Sequence, residues 1–223
     1  MAALQSRALA ATGYDVLQID LLGCGDSSGD FSDASWQAWR EDVLAGYRSL
    51  RERSTAPLIL WGLRAGCLLA AETATELPEA ADFIFWQPVI SGKQHWQQFM
   101  RLKLAGALLG GSKEGFSDLE NSPSSDSLLE IAGYRISRQL AQSIQHADLR
   151  PPPRPSRVSW LEISSRQESE MSPVSQKFLQ QWVAAGFEVD ALVLRGPAFW
   201  QTADVEEVPD LLDATLRLVS GNT

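Results

Sequence analysis

The chain has few of the residues that build metal sites and disulfide scaffolds. Its 223 residues include two cysteines, Cys24 and Cys67, and two histidines, His95 and His146. Two cysteines so far apart exclude a small disulfide-stabilised domain and favour a reducing compartment. Neither a CxxC nor an HExxH pattern occurs, so the sequence predicts no metal site and no cofactor.

Long hydrophobic runs and an excess of positive charge are also missing. No apolar run approaches the ~18 residues of a membrane helix, and the first residues lack the basic and apolar regions of a signal peptide. The net charge of −9 disfavours nucleic acid and anionic membranes as partners. We therefore expect a cytoplasmic protein with no nucleic-acid partner and no membrane span, and the sequence leaves its oligomeric state open.

The sequence does contain an alternation of short apolar runs and helical segments. Such nearly continuous runs are typical of strands that are buried on both faces of a parallel sheet. Five of them are predicted strands, at residues 16–20, 56–62, 82–88, 157–163 and 189–194. The alternation predicts a single α/β domain over residues 1–223, with a mostly parallel sheet and flanking helices.

The segment between the third and fourth of these runs, residues 91–156, is too long for a simple connection. It contains an amphipathic helical pattern, a polar stretch rich in glycine and serine, and the proline-rich run "RPPPRPSR". Insertions at the rim of an α/β sheet commonly carry binding or gating functions. We interpret residues 91–156 as a cap or lid, the alternative being a long surface excursion.

The stretch "WGLRAG", residues 61–66, lies between a predicted strand and a predicted helix. In that context the pattern G-x-S-x-G is the nucleophile elbow of serine hydrolases, a sharp turn that exposes the serine above the sheet. Gly62 and Gly66 keep the two glycines, but Arg64 stands at the serine position. Together with the turn "IDLLGCGDSSG" at residues 19–29, this stretch resembles the α/β-hydrolase superfamily.

Longer phrases resemble one family more closely. "LLGCGDSSGDFSDASW", "WGLRAGCLLA", "FWQPVISGKQHWQQFMRLKLA", "IAGYRIS" and "GPAFWQT" are similar to the exosortase A system-associated hydrolases 2. This resemblance implies an α/β-hydrolase fold and a bacterial cytoplasmic setting linked to exopolysaccharide synthesis and PEP-CTERM protein sorting. It also implies strands before the first helix that this chain does not show, so we expect N-terminal strands to be missing.

A complete Ser-His-acid triad is not predicted. A serine or cysteine nucleophile needs a base within hydrogen-bond reach, and the base needs an orienting carboxylate. The loop after the last predicted strand, "RGPAFWQTADVEE", contains no histidine. The weak candidates for unconventional catalysis are Cys67, which is more often a packing residue, His95 in the predicted cap, and Glu168.

Arg64 has three possible explanations. A cation is disfavoured at a helix N-terminus, so an anion is expected between the guanidinium and the first helical amides near Ala65. That anion is either an internal carboxylate such as Glu168 or a bound ligand. In the third explanation, Arg64 lies across the rim with its stem packed on Trp61 or Trp200.

Aromatic residues mark the same edge of the predicted sheet. "FWQP" and "FWQT" place Trp86, Gln87 and Trp200 just after strands, where they either plug the core or line a ligand pocket. The sequence thus predicts a degenerate hydrolase site that binds a small anionic, acyl or saccharide ligand at Arg64, Ala65, Trp86, Gln87 and Trp200. The competing hypothesis is an active hydrolase or acyl-transfer enzyme with unconventional groups.

Overall fold

A computed structural model describes residues 1–110, 128–131, 134–166, 170–201 and 206–221. In chain order the elements are α1 (Ala2–Ala11), α2 (Trp36–Arg51), β1 (Leu58–Leu63), α3 (Ala65–Thr73), β2 (Ala81–Trp86), α4 (Gly92–Gly110), β3 (Leu128–Ile131), β4 (Tyr134–Ser137), α5 (Arg138–His146), β5 (Arg157–Ser164), α6 (Pro173–Ala184), β6 (Glu188–Arg195) and α7 (Pro209–Ser220).

The chain divides into two compact units. The first contains Met1–Gln18, Leu44–Ile90 and Leu149–Thr223, and the second contains Ile19–Val43 and Ser91–Asp148. The parallel sheet lies in the first unit. The second unit holds α4, α5 and the antiparallel pair β3–β4.

Four parallel strands form the sheet of the first unit, in the order β1-β2-β5-β6. The register places Leu63 beside Trp86, and Trp86 beside Leu161. Because the strands are parallel, all their carboxyl ends meet at one edge of the sheet. The predicted α/β architecture with flanking helices is therefore confirmed, as are four of the five predicted strands.

The predicted strand at residues 16–20 is wrong. These residues form no strand and pair with none in the described part of the chain. Leu17, which the apolar pattern would bury, is 47% exposed. A strand exists only when a neighbouring backbone completes its hydrogen bonds, and the apolar pattern of a single segment does not reveal whether that neighbour is present.

The two central strands are buried on both faces, as their apolar runs predicted. On one face, Phe83 and Phe85 of β2 pack edge-on against Trp182 of α6, with ring centroids 5.6 and 5.5 Å apart. On the other face, Trp86 packs in a core cluster with Leu161 of β5 and residues of α7. Helices on both faces thus complete the core of the first unit.

The segment predicted as a cap falls mainly in the second unit. The unit takes residues 91–148, whereas residues 149–156 belong to the first. Residues 19–43 join the second unit, which the sequence did not indicate. The role of this segment as a lid stays a prediction. No helix in the described ranges is long and apolar enough to cross a membrane.

A charged clasp holds the end of α2 to the loop before β2. The Arg51 guanidinium donates two hydrogen bonds to the Glu79 carboxylate, at 2.7 and 2.9 Å, and the Tyr47 hydroxyl donates a third, at 2.7 Å. The Arg51 hydrogen bond holds the pKa of Glu79 below its ordinary value. The Glu79 side chain is 37% exposed, so solvent weakens the interaction.

We expect Glu79→Gln to lower the free energy of unfolding at pH 7 by about 1 kcal/mol, a shift in Tm of about 2–4 °C. The carboxylate contributes stability above its unfolded pKa of about 4.3, and this contribution is lost as the pH falls through the lower folded pKa. The Tm values of the wild type and the variant, measured between pH 7 and pH 2.5, should therefore converge at the lowest pH. Glu52→Gln, at an exposed position nearby, is the control; a gap that persists at pH 2.5 would contradict the prediction.

Candidate functional site

The turn between β1 and α3 has the backbone of a nucleophile elbow. Arg64 is the N-cap of α3, with φ 55° and ψ −120°. Non-glycine residues in such a conformation cost about 1–3 kcal/mol and persist only when their surroundings hold them. Three hydrogen bonds do so here: the Arg64 amide donates to the Trp86 carbonyl at 3.0 Å, and the Arg64 carbonyl accepts from the Cys67 and Val89 amides at 3.1 and 3.3 Å.

The two glycines of the motif have different roles. A Cβ atom on Gly62 would lie 2.7 Å from the Cys67 amide nitrogen and from the Gly66 carbonyl carbon, both of them backbone. A Cβ atom on Gly66 would meet nothing within 4 Å. Gly62 is therefore required for the close approach of the strand to the helix, and Gly66 is not.

The Arg64 side chain stacks on Trp200. The guanidinium carbon lies 5.5 Å from the centre of the indole ring, which agrees with the third explanation above. In the described part of the chain, no carboxylate pairs with this guanidinium and no carbonyl accepts from it. Arg64 is half-buried, and this burial lowers the pKa of its guanidinium. Glu168, the candidate internal partner, lies outside the described residues.

A continuous row of aromatic rings leads from β1 to this arginine. Ring centroids are separated by 4.7 Å between Trp61 and Trp86, 6.2 Å between Trp86 and Phe199, and 5.1 Å between Phe199 and Trp200. Trp86 is fully buried, and its indole N–H donates to the hydroxyl of Thr215 at 3.0 Å. This burial agrees with a Trp86 side chain that fills the core and does not contact a ligand. The indole N–H groups of Trp61 and Trp200 are buried without an acceptor.

Gln87 is the second non-glycine residue with positive φ in the described ranges, at 45°. It directly follows β2, as Arg64 directly follows β1. Its side-chain Oε1 accepts a hydrogen bond from the Ile163 backbone amide at 2.6 Å, and its backbone amide donates to the Leu161 carbonyl at 2.7 Å. Half of the Gln87 carboxamide is thus used to join β2 to β5.

Of the remaining sequence candidates, the described residue Cys67 is not a reactive nucleophile. Cys67 is fully buried, and its thiol donates to the Gly62 carbonyl at 3.2 Å. Burial raises the pKa of Cys67 far above its ordinary value, more strongly than Arg64 lowers it, so the sulfur stays protonated. His95 lies on α4 in the second unit, and His146 contacts the Gln142 carbonyl of its own helix at 2.7 Å.

Charged groups at the opposite edge of the sheet form ion pairs and hydrogen bonds with one another. A cavity of about 870 Å³ lies there, beside the residues that begin the strands. Arg157 pairs with Glu188 and Asp190 at 3.6 and 3.4 Å, and Asp82 accepts from the Ser156 hydroxyl and the Arg157 amide. No group of three metal-binding side chains is present among the described residues. The charged groups at this edge therefore have ion-pair partners, which the Arg64 guanidinium lacks among the described residues.

Two contributors to the site carry no signal that sequence reasoning could use. Thr215 of α7 holds the Trp86 indole from 129 positions away along the chain. The backbone amide of Ile163 fixes Gln87, and a backbone group has no residue signature. Phe199 could have been found, because it precedes Trp200 in the repeated Phe-Trp-Gln phrase.

Comparisons with known proteins agree on the fold. A family model described as serine aminopeptidase, S33 (Hydrolase_4) matches residues 3–132, more than half of the chain. No curated protein matches it in sequence.

Solved structures match nearly the whole chain at low identity. Est1E from Butyrivibrio proteoclasticus, solved with ferulic acid bound, has a TM-score of 0.64 at 15% identity, over 98% of this chain and 82% of its own. The structure described as the metagenome-derived lipolytic enzymes LipS and LipT has a TM-score of 0.58 at 16% identity, over 99% of this chain and 87% of its own. A variant of tomato methylketone synthase I, complexed with beta-ketoheptanoate, has a TM-score of 0.54 at 14% identity, over 98% of this chain and 91% of its own. The predicted α/β-hydrolase fold is confirmed.

The two glycines of the turn provide a matched pair of variants. Gly62→Ala forces a methyl group into backbone atoms, so we expect the free energy of unfolding to fall by about 1–3 kcal/mol. Gly66→Ala adds a better helix former in open space, so we expect a gain of about 0.5–1 kcal/mol. Thermal or urea unfolding measures both. Equal effects of the two substitutions would contradict the close approach at Gly62.

Proposed function

The chain belongs to the serine aminopeptidase family of α/β-hydrolases, and we propose that its elbow binds a small carboxylate ligand and does not catalyse hydrolysis. The observation that carries the proposal is Arg64, a strained and partly desolvated cation at the nucleophile position, with no carboxylate partner in the described ranges.

Stability does not explain this arginine. The strained backbone would cost about 1–3 kcal/mol with any L-residue at this position. The guanidinium itself costs about 0.3–1 kcal/mol at a helix N-terminus and gains about 0.5–2 kcal/mol by stacking on Trp200, so its net contribution is small. A charged group that contributes so little stability is expected where a ligand supplies the missing interaction.

The chemistry of the surroundings selects the kind of anion. One guanidinium neutralises one negative charge and can donate two parallel hydrogen bonds to a carboxylate. A phosphate dianion would keep an unpaired charge in a partly desolvated site. The neighbouring surface is aromatic, formed by Phe199 and Trp200, so the body of the ligand is apolar.

The names of two structural neighbours are in keeping with this ligand class. Est1E is described with ferulic acid bound, and the methylketone synthase variant with beta-ketoheptanoate. Both compounds join an acid group to an apolar body. These ligands belong to those proteins, and they suggest which acids to test first with this one.

Catalysis has less support than binding. Arg64 has no nucleophilic atom, and the buried, protonated Cys67 is not accessible to a substrate. The sequence after β6 offers no histidine. A degenerate site agrees with these residues, whereas the alternative of an active hydrolase or acyl-transfer enzyme is supported only by the family model and the enzymes with a similar fold.

We further propose a biological setting from sequence resemblance alone. The phrases shared with exosortase A system-associated hydrolases support a role in bacterial exopolysaccharide synthesis or PEP-CTERM protein sorting, in the cytoplasm. Deletion of the gene in its host is expected to reduce secreted exopolysaccharide or sorted PEP-CTERM protein. Normal levels of both in the deletion strain would contradict this setting.

The binding proposal is tested with benzoate, hexanoate and inorganic phosphate, by isothermal titration calorimetry and tryptophan fluorescence. We expect the two carboxylates to bind and to change the fluorescence, because Trp200 stacks on Arg64. Arg64→Ala should lose at least about tenfold in affinity, equivalent to one hydrogen bond to a charged group. Arg64→Lys should lose affinity too, because a point charge cannot make the planar contact.

Arg53→Ala is the matched control, since it removes one positive charge at an exposed position. We expect it to leave the affinity unchanged. Arg64→Ala should also unfold at the same or a higher temperature than the wild type. A loss of roughly 3–5 kcal/mol would instead indicate an internal carboxylate partner left unpaired. Stoichiometric labelling by a fluorophosphonate, prevented by hexanoate, would overturn the non-catalytic role.

A further inference from the structure

Gln87 has an unused hydrogen-bond donor beside Arg64. Its Oε1 is occupied by the Ile163 amide at 2.6 Å, so the carboxamide plane is held in one orientation. The Nε2 group has no acceptor in the described part of the chain, and it is not buried. Since Oε1 can only accept, this hydrogen bond also assigns which end of the carboxamide donates to solvent.

Backbone contacts place Gln87 directly against Arg64. Leu63 and Trp86 are register partners, so the residues that follow them, Arg64 and Gln87, stand at the ends of adjacent strands. The Trp86 carbonyl, which belongs to the peptide bond of Gln87, accepts from the Arg64 amide at 3.0 Å.

The contact between Arg64 and Trp200 lies at the same edge of the sheet as Gln87. Arg64 follows β1 and Trp200 follows β6, which are the two outer strands of the sheet. The loop after β6 and the Arg64 side chain together therefore span the carboxyl ends of β5 and β2, and Gln87 directly follows β2. Arg64 and Gln87 share another property, because both adopt positive φ. Strained residues of this kind concentrate at ligand sites.

We propose that Gln87 is a specificity-determining residue of the ligand site, whose Nε2 donates a further hydrogen bond to one oxygen of the carboxylate that Arg64 binds through its planar guanidinium. This inference rests on the proposed function. A neutral, oriented N–H adds a contact without adding charge, so it favours a monoanion with two acceptor oxygens. A carboxylic amide of the same shape offers only one acceptor and an N–H₂ group that would face Nε2.

The test uses the full chain and two probes with the same body, hexanoate and hexanamide. Gln87→Glu keeps an oxygen for the Ile163 amide but replaces the donor by an acceptor. We expect it to weaken hexanoate binding by at least about 100-fold, because like charges brought together at an interface cost several kcal/mol. Hexanamide should bind at least as well as to the wild type, because its N–H₂ group gains an acceptor. The preference between the probes therefore inverts, which a merely structural defect would not produce.

Gln181→Glu adds the same charge on the exposed side of α6 and is the control, expected to bind as the wild type does. If Gln87→Glu does not fold, as judged by circular dichroism, Gln87→Asn replaces it, since asparagine tolerates positive φ but is too short to reach both partners. It should lose hexanoate affinity by about tenfold. Hexanoate binding that is unchanged in the folded Gln87 variant overturns this inference alone. A wild type that binds no carboxylate overturns the proposed function, and the inference with it.

Discussion

The close approach of β1 to α3 at Gly62 is the constraint on which the site depends. Because Gly62 carries no side chain, the strand turns into the helix within one residue, and Arg64 is left at the apex with positive φ. The same turn buries Cys67 under the strand and brings the Arg64 amide to the Trp86 carbonyl. The position of Gln87 beside Arg64 follows from this geometry.

The two edges of the sheet differ in how their polar groups are used. At the amino edge, Arg157 and Arg51 have carboxylates as ion-pair partners, and Asp82 accepts a hydrogen bond from a backbone amide. At the carboxyl edge, the Arg64 guanidinium and the Gln87 Nε2 group have none in the described ranges. A partly buried charge ordinarily has a counter-ion, so a guanidinium without one is expected where a ligand completes it. This contrast in ion pairing is the physical reason to place function at the elbow.

Much of the fold was predictable because local patterns report burial. Continuous apolar runs identified β1, β2, β5 and β6, and the two glycines around Arg64 identified the turn. The same reasoning failed at residues 16–20, where an apolar pattern did not produce a strand. Strand formation needs a partner backbone, and a pattern within one segment carries no information about that partner. The composition of the second unit was missed for a related reason, since residues 19–43 and 91–148 are distant in sequence.

At the site, the sequence by itself determined which chemistry is missing: an arginine replaces the nucleophile, and no histidine follows the last strand. These are properties of residue identity at a recognisable turn, and they do not depend on packing. Only the tertiary structure decided what the candidate side chains touch. It placed Arg64 over Trp200, buried Trp86 against Thr215, and used half of the Gln87 carboxamide for the Ile163 amide. Such contacts join residues up to 129 positions apart, so they arise when the strands and helices pack and cannot be read from any one segment.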